Sequence, residues 1–296
     1  METKETKDAS LPSLMNMNRL WLKWLDVAGL FRRFRQPEEG PCPDKSKRVN
    51  VYVDLLNMIM IASGKPWLKW FDGARLFRRF LRPGEKLCAI HWFYSVGNER
   101  RAADEACIDT LMKANICHTG HAVRHIHTLG GFMPKTRPTK LADPRHEKIL
   151  GRAVVDVSYW SEKCTDINLA TGLVADAYED LFDTALLVTN DSDQVATVST
   201  LKRRPDKNLR ILTPVQENGS QSKDLFDSCH DVQIIRQYHM ADSQLPTVVR
   251  SGAEQIFRRP DQWTQYTGGA TAGKAAKPQA DSKRLSIAIK EALRPR

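Results

Sequence analysis

The chain has 296 residues, 41% of them apolar, and a formal net charge of +10 at pH 7. The apolar share supports a real core, the length suits one domain of about 200 residues with extensions or two small domains, and the positive balance points to a polyanionic partner held in a salt-dependent way. No run approaches a membrane span, no basic-then-apolar leader opens the chain, and the six widely spaced cysteines form no CxxC, so a cytoplasmic protein with reduced thiols is expected.

Residues 1–18 are polar. Residues 19–35, RLWLKWLDVAGLFRRFR, predict an amphipathic helix with Trp21, Trp24, Leu25, Ala28 and Phe31 on one face. Pro37 and the EEGPCPDKSK run read as a linker. The segment WLKWLDVAGLFRRFRQPEEG at 21–40 returns as WLKWFDGARLFRRFLRPGEK at 67–86, with thirteen of twenty positions identical, which indicates a local duplication. The two copies are too short to make a solenoid. The Trp-rich first copy makes a homodimer worth testing.

The core domain begins near Val49. VNVYVDLLN reads as a strand ending in a polar turn, 67–80 as a helix, 87–95 as a buried strand, 99–114 as a helix and 115–132 as one or two strands. The Pro/Lys/Arg-rich MPKTRPTKLADPRHEK reads as an exposed loop, and VVDVSYW at 154–160 as an extended strand. A helix is expected from Asp166 to about Leu181, its apolar face made by Leu169, Ala170, Leu173, Val174, Ala177 and Tyr178. Then come a strand at 184–190, a helix from Asp193 to about Lys202, a last clear strand at 209–214 and a short helix at 222–229. The alternation predicts an α/β fold with a mostly parallel sheet and helices on both faces. The expected divisions are an extension at 1–48, a core domain at 49–240, its continuation at 241–263 and a basic Gly/Ala/Lys tail at 264–296.

Four acids stand where such a sheet keeps its sites. Strand ends on the carboxyl side form the usual crevice. Asp54 closes the first strand, Asp191 and Asp193 follow the 184–190 strand, and Asp166 opens a helix, where free backbone donors and the dipole favour a carboxylate. Carboxylates gathered this way repel one another, and Mg2+ or Mn2+ would relieve that repulsion. The metal would activate a water and offset charge on a scissile phosphate. Asp54 and Asp191 are the first choices as ligands. Asp166 and Asp193 would complete the set or hold the attacking water. Asn57, Asn190 and Ser192 are candidate supports, and Lys163 a candidate phosphate contact. Each residue also has an ordinary reading as a cap or turn former.

The motifs VYVDLLN, EKCTDINLATGLVADAYEDLFDTALLVTNDSD and LRILTP together resemble the NYN domain family of PIN-like nucleases. Asp54 and Asn57 match a VDxxN-like motif. Glu162, Lys163 and Asp166 match an EKGxD-like helix start, with Cys164 in the glycine's place. Thr189 to Asp193 match an SxDSD-like motif, followed by Gln194 where the family prefers Phe or Leu. The similarity spans about 49–240 and extends to FRRPDQW at 257–263. It implies a PIN-like three-layer α/β/α fold with a mostly parallel central sheet and a metal-dependent endoribonuclease using Mg2+ or Mn2+.

Other signals are weaker. Cys107, Cys117, His118, His121, His125 and His127 cluster in sequence without a standard zinc spacing. Lys135, Arg137, Lys140 and Arg145 make the Pro-rich segment the preferred RNA contact. Walker and dinucleotide glycine patterns are absent. Two other functions stay open: a non-catalytic RNA-binding or regulatory module, and a structure-specific DNA nuclease.

Overall fold

The computed structural model describes residues 46–96, 102–140, 154–216, 219–251 and 255–264. The first copy of the duplicated segment, Arg145 and the tail beyond 264 lie outside the described residues.

In chain order the elements are β1 (Lys47–Asp54), α1 (Leu55–Met60), α2 (Gly73–Arg78), β2 (Glu85–Val96), α3 (Ala102–Thr119), β3 (Arg124–Lys140) and β4 (Val154–Lys163). They continue with α4 (Thr165–Tyr178), β5 (Thr184–Val188), α5 (Val195–Leu201), β6 (Asn208–Pro214), α6 (Lys223–Ser228), β7 (Val232–Ile235) and α7 (Gln237–Ala241). A separate antiparallel pair, β8 (Val248–Ser251) and β9 (Gln255–Arg258), follows.

Seven strands form one sheet in the order β4-β3-β2-β1-β5-β6-β7. Its central strands are apolar runs buried on both faces, as parallel strands covered by helices must be. Val49, Val51 and Val53 face one core with Leu76, Phe77, Trp92 and Leu111. Tyr52 faces the other, with Phe93, Leu169, Leu173, Phe182 and Leu187.

The expectation of a mostly parallel, three-layer PIN-like sheet is not met. β3 and β4 pair antiparallel from Gly131–Lys163 out to Lys140–Val154, so the sheet is mixed, and it curls strongly into a half-barrel. The physical source is the ribbon itself: two-stranded antiparallel ribbons twist more than covered parallel strands. β2 accompanies β3 only as far as Val96–Gly131. Beyond that point, among the described residues, β3 has β4 on one side alone.

The segment read as a Pro-rich loop is therefore strand to Lys140. Pro134 and Pro138 stand four residues apart and so share a pleat phase, on the part of β3 that lacks a second neighbour. A strand with one open edge accepts proline, because the missing N–H can face outward.

The helix expected over 67–80 is broken. Pro66–Lys69 forms a 3-10 turn and α2 starts at Gly73. Trp70 and Phe71 are both fully buried. The Trp70 indole N–H donates to the Pro246 carbonyl at 2.8 Å, and the Asp72 carboxylate caps α2 by accepting from the Arg75 N–H at 3.0 Å. Gly73 is required by packing, since a Cβ there would lie 2.7 Å from the Trp92 ring. One helical stripe cannot bury all of these side chains.

Candidate active site

From β1 the chain moves outward through β2, β3 and β4. It returns through α4 to β5, on the other side of β1, and moves outward again through β6 and β7. The order reverses between β1 and β5. Connections leaving in opposite directions at such a point open a crevice at the carboxyl ends of the strands. Asp54 ends β1, Thr189 to Asp193 follow β5, and Asp166 lies in the first turn of α4. The topology thus draws the four predicted acids toward one edge.

Asp54 is 4% exposed. It caps α1, its Oδ1 accepting from the Asn57 N–H at 3.1 Å. Its Oδ2 accepts from the Asn57 side-chain amide and, at 3.3 Å, from the Thr189 hydroxyl. Burial nevertheless pushes the Asp54 carboxyl up to about 6: the Asn57 donors oppose the shift, while Asp166 and Glu162 add to it. Thr189, itself fully buried, also accepts from the Asp191 N–H at 3.1 Å. One hydroxyl thereby ties the loop after β5 to the end of β1. Asp191 then caps a short 3-10 turn, accepting from the Asp193 N–H at 3.0 Å. Asn190 braces this loop from outside, donating to the Ser220 carbonyl at 3.1 Å and accepting from the Ser222 N–H at 2.8 Å. Ser192 is exposed on the same turn.

The start of α4 is held by a second set of contacts. Glu162 Oε1 accepts from Ser95 at 2.9 Å and from Thr165 at 2.6 Å, and those two hydroxyls lie 2.7 Å apart. Gly130 makes room for them: a Cβ there would meet both hydroxyl oxygens at 2.5 Å and the Lys163 carbonyl at 2.6 Å. Cys164 makes the turn into the helix at φ 72, in the left-handed region. Gln194, which stands where the resembling family prefers Phe or Leu, is 2% exposed. Its amide donates to the Asp166 carbonyl oxygen at 3.4 Å and accepts from Thr197 at 3.0 Å. It links the loop after β5 to the turn that carries Asp166. The Asp166 carboxyl is raised by partial burial first, then by Asp191, Glu162 and Asp193.

The acids therefore stand in each other's field. Among the described residues, no three His, Cys, Asp or Glu side chains stand close enough to hold a metal ion directly. Mg2+ keeps most of its waters and takes one or two carboxylates. Hard oxygen donors in a crevice with two raised carboxyls fit a hydrated cation of that kind.

The basic candidates divide. Lys135, Arg137 and Lys163 share one face of the β3–β4 ribbon, while Lys140 lies on the reverse face. Lys163 thus turns away from the face that carries Glu162. Lys135 on the same face pulls the Lys163 ammonium below the usual lysine range. The histidine cluster is no zinc site among the described residues. His125 Nδ1 accepts from the Trp92 indole N–H at 3.1 Å, and His127 packs edge-on to Tyr94. Burial pulls both imidazoles down to about 4. His91 stacks on Tyr52 and falls to about 3, largely through burial. Tyr52 donates to Asp176 at 2.6 Å, about 15 Å along α4 from Asp166 at 1.5 Å per residue.

Sequence reasoning gave Glu162, Ser95, Thr165 and Thr189 no role in the site. Glu162 and Thr189 had a signal, since both fall in the motifs that hold the acids, and Thr165 adjoins Asp166. Ser95 had none, because only strand pairing brings it to the crevice.

No family model matches the chain. Over 138 residues it is 26% identical to 6-hydroxy-3-succinoylpyridine 3-monooxygenase HspA of Pseudomonas putida (strain DSM 28022 / S16), covering 45% of this chain and 44% of that protein. The chain thus spans less than half the length of this curated relative. Among solved structures, a protein of unknown function from Vibrio parahaemolyticus RIMD 2210633 aligns at 14% identity and a TM-score of 0.38, over 69% of this chain and 100% of that one. The NYN and PIN-like assignment is corrected accordingly: no family model supports it, and the sheet is a curled, mixed half-barrel, not the flat sandwich that assignment requires. Short Asp/Asn/Ser motifs at strand ends recur in unrelated folds because they cap helices and make turns. No helix among the described residues is long and apolar enough to cross a membrane.

Proposed function

We propose that the protein is a metal-dependent nuclease that hydrolyses RNA phosphodiester bonds endonucleolytically. The observation that carries the reading is the gathering of acids at the strand-end crevice: burial raises both Asp54 and Asp166, and neighbouring carboxylates add to it, Asp166 and Glu162 for Asp54, and Asp191, Glu162 and Asp193 for Asp166. Crowded carboxylates at a strand-end crevice are what a divalent cation relieves, and perturbed carboxyls cluster at functional sites. The net charge of +10 suits a polyanionic substrate.

Asp54 and Asp191 would hold Mg2+ or Mn2+, which when bound supplies a more acidic water and offsets charge on the phosphate. Asp166 and Asp193 orient the attacking water and accept its proton. Thr189 and Asn57 hold the Asp54 carboxylate in one orientation, so that no reorganisation is needed as charge develops. In-line attack by water needs no 2′-hydroxyl nucleophile and leaves a 5′-phosphate and a 3′-hydroxyl.

The test is cleavage of labelled single-stranded and hairpin RNA with Mg2+, Mn2+ or EDTA. Wild type should cut only with metal, and Asp54→Asn and Asp191→Asn should fall to background. RNA binding without cleavage at any metal concentration would turn the reading to a binding module. Preference for matched DNA would turn it to a DNA nuclease. A second reading, oxygenation of a pyridine ring as in the Pseudomonas relative's name, is favoured by that sequence similarity alone. Metal-dependent RNA cleavage that is lost in Asp54→Asn decides against it.

A further inference from the structure

The β3–β4 ribbon has two unlike faces. Pairing sets Met133 opposite Ser161, Lys135 opposite Tyr159, and Arg137 opposite Val157, with Lys163 at the base of the same face. Among the residues that alternate onto this face between Gly131 and Thr139, and between Val155 and Lys163, there is no carboxylate. The reverse face carries Glu162 and Asp156.

Three features of the basic face are unusual for a solvated strand. The Arg137 guanidinium lies over the Tyr159 ring at 5.1 Å from its centroid. Met133 and Val157 are 48% and 39% exposed beside it. Lys135 and Lys163 stand on the same face of the ribbon, and Lys135 pulls the Lys163 ammonium below the usual lysine range. An anion between the two ammonium groups would relieve their repulsion. A flat π surface laid on the Arg137–Tyr159 pair would cover the exposed apolar groups. Single-stranded nucleic acid offers both at once, as alternating phosphates and unstacked bases. A duplex hides its base faces and offers only phosphate.

We propose that this face is a track for single-stranded RNA, with Lys135 and Lys163 taking phosphates and the Arg137–Tyr159 pair receiving a base. The track starts one residue from Glu162, at the rim of the carboxylate crevice. The inference deepens the nuclease reading and rests on it for the role, though not for the binding.

The test is fluorescence anisotropy of a labelled 15-nucleotide single-stranded RNA against the full-length protein in EDTA, with a blunt RNA duplex and polyglutamate as competitors. Metal-free conditions separate binding from cleavage. The single strand should bind at least about tenfold more tightly than the duplex. Lys135→Glu with Lys163→Glu should weaken it further and reduce the slope of log affinity against log salt by about 1.4, at roughly 0.7 per phosphate contact. Tyr159→Ala should weaken binding about tenfold with the slope unchanged, since stacking on one ring is worth roughly that much. Circular dichroism and thermal melting establish that these surface variants fold.

Equal affinity for duplex, preference for polyglutamate, or ribbon variants that bind as wild type would each overturn the proposal. Ribbon variants that bind and cleave normally while Asp54→Asn does not cleave would sink the track alone. Loss of binding in ribbon variants of a protein that never cleaves would uphold the track and sink the nuclease.

Discussion

The middle of the sheet and its β3–β4 end follow opposite rules. β1 and β5 are short, flanked by parallel neighbours, and buried at nearly every position; all five residues of β5 are inaccessible. The ribbon is long, antiparallel and largely exposed, with Lys, Arg, Thr and Pro along β3. The first region is held by the water it excludes, the second by its ladder and a few side-chain contacts. The acids of the crevice belong to the first and the basic face of the β3–β4 ribbon to the second.

The comparison breaks most severely if the buried strands tolerate truncation. Leu187→Ala should lower unfolding stability by about 2–5 kcal/mol in urea titration, the usual range for a buried leucine. A loss under 1 kcal/mol would mean that β5 is not the packed centre described here. Next is the joint between the regions. Gly130→Ala forces a Cβ against Ser95, Thr165 and the Lys163 carbonyl, and should cost about 1–3 kcal/mol as overpacking does. It should also reduce cleavage, because the same contacts set the start of α4.

Asp54→Asn sharpens the contrast in the other direction. The Asp54 carboxyl titrates near 6 in the fold against an ordinary 3.8, so the folded state holds its proton the more tightly. Its favourable contribution is full below the ordinary value and is lost as pH rises through about 6. Without metal, the stability of the Asp54→Asn variant relative to wild type should therefore rise by about 1–3 kcal/mol between pH 4 and pH 8, and cleavage should be lost. A difference that does not change over that range would show that the Asp54 carboxyl is not raised in the fold. His125 and His127, held near 4, act oppositely: their contribution is present above about 6.5 and is lost as pH falls toward 4. The smallest effect expected is Pro138→Ala, within about 0.5 kcal/mol, as for exposed positions with no donor to satisfy.

The legibility of the molecule divides along the same line. Val49 to Val53 and Thr184 to Val188 are readable because burial on both faces demands apolar runs, broken here only by Asn50 and Thr184. The strand-end positions of Asp54 and Asp191 are readable because they follow those runs. The ribbon was not, since Pro134, Pro138 and the lysines are ordinarily loop residues, and only an open edge permits them in a strand. The half-barrel curl was equally hidden, because pairing direction is set by the partner strand and not by local composition. Residues 67–80 misled for another reason. Their spacing suits a helix, yet Trp70, Phe71, Leu76 and Phe77 all reach the core, which takes a turn at Asp72.

Among the described residues β3 has an open edge beyond Gly131, and an open edge bears on solubility. A strand with unpaired N–H and C=O groups invites a strand from another molecule, and such pairing seeds aggregates. Pro134 and Pro138 remove two of those donors, and Lys135, Arg137 and Lys140 add like charge along the approach. The residues that disguise this segment as a loop are also those that discourage edge-to-edge pairing.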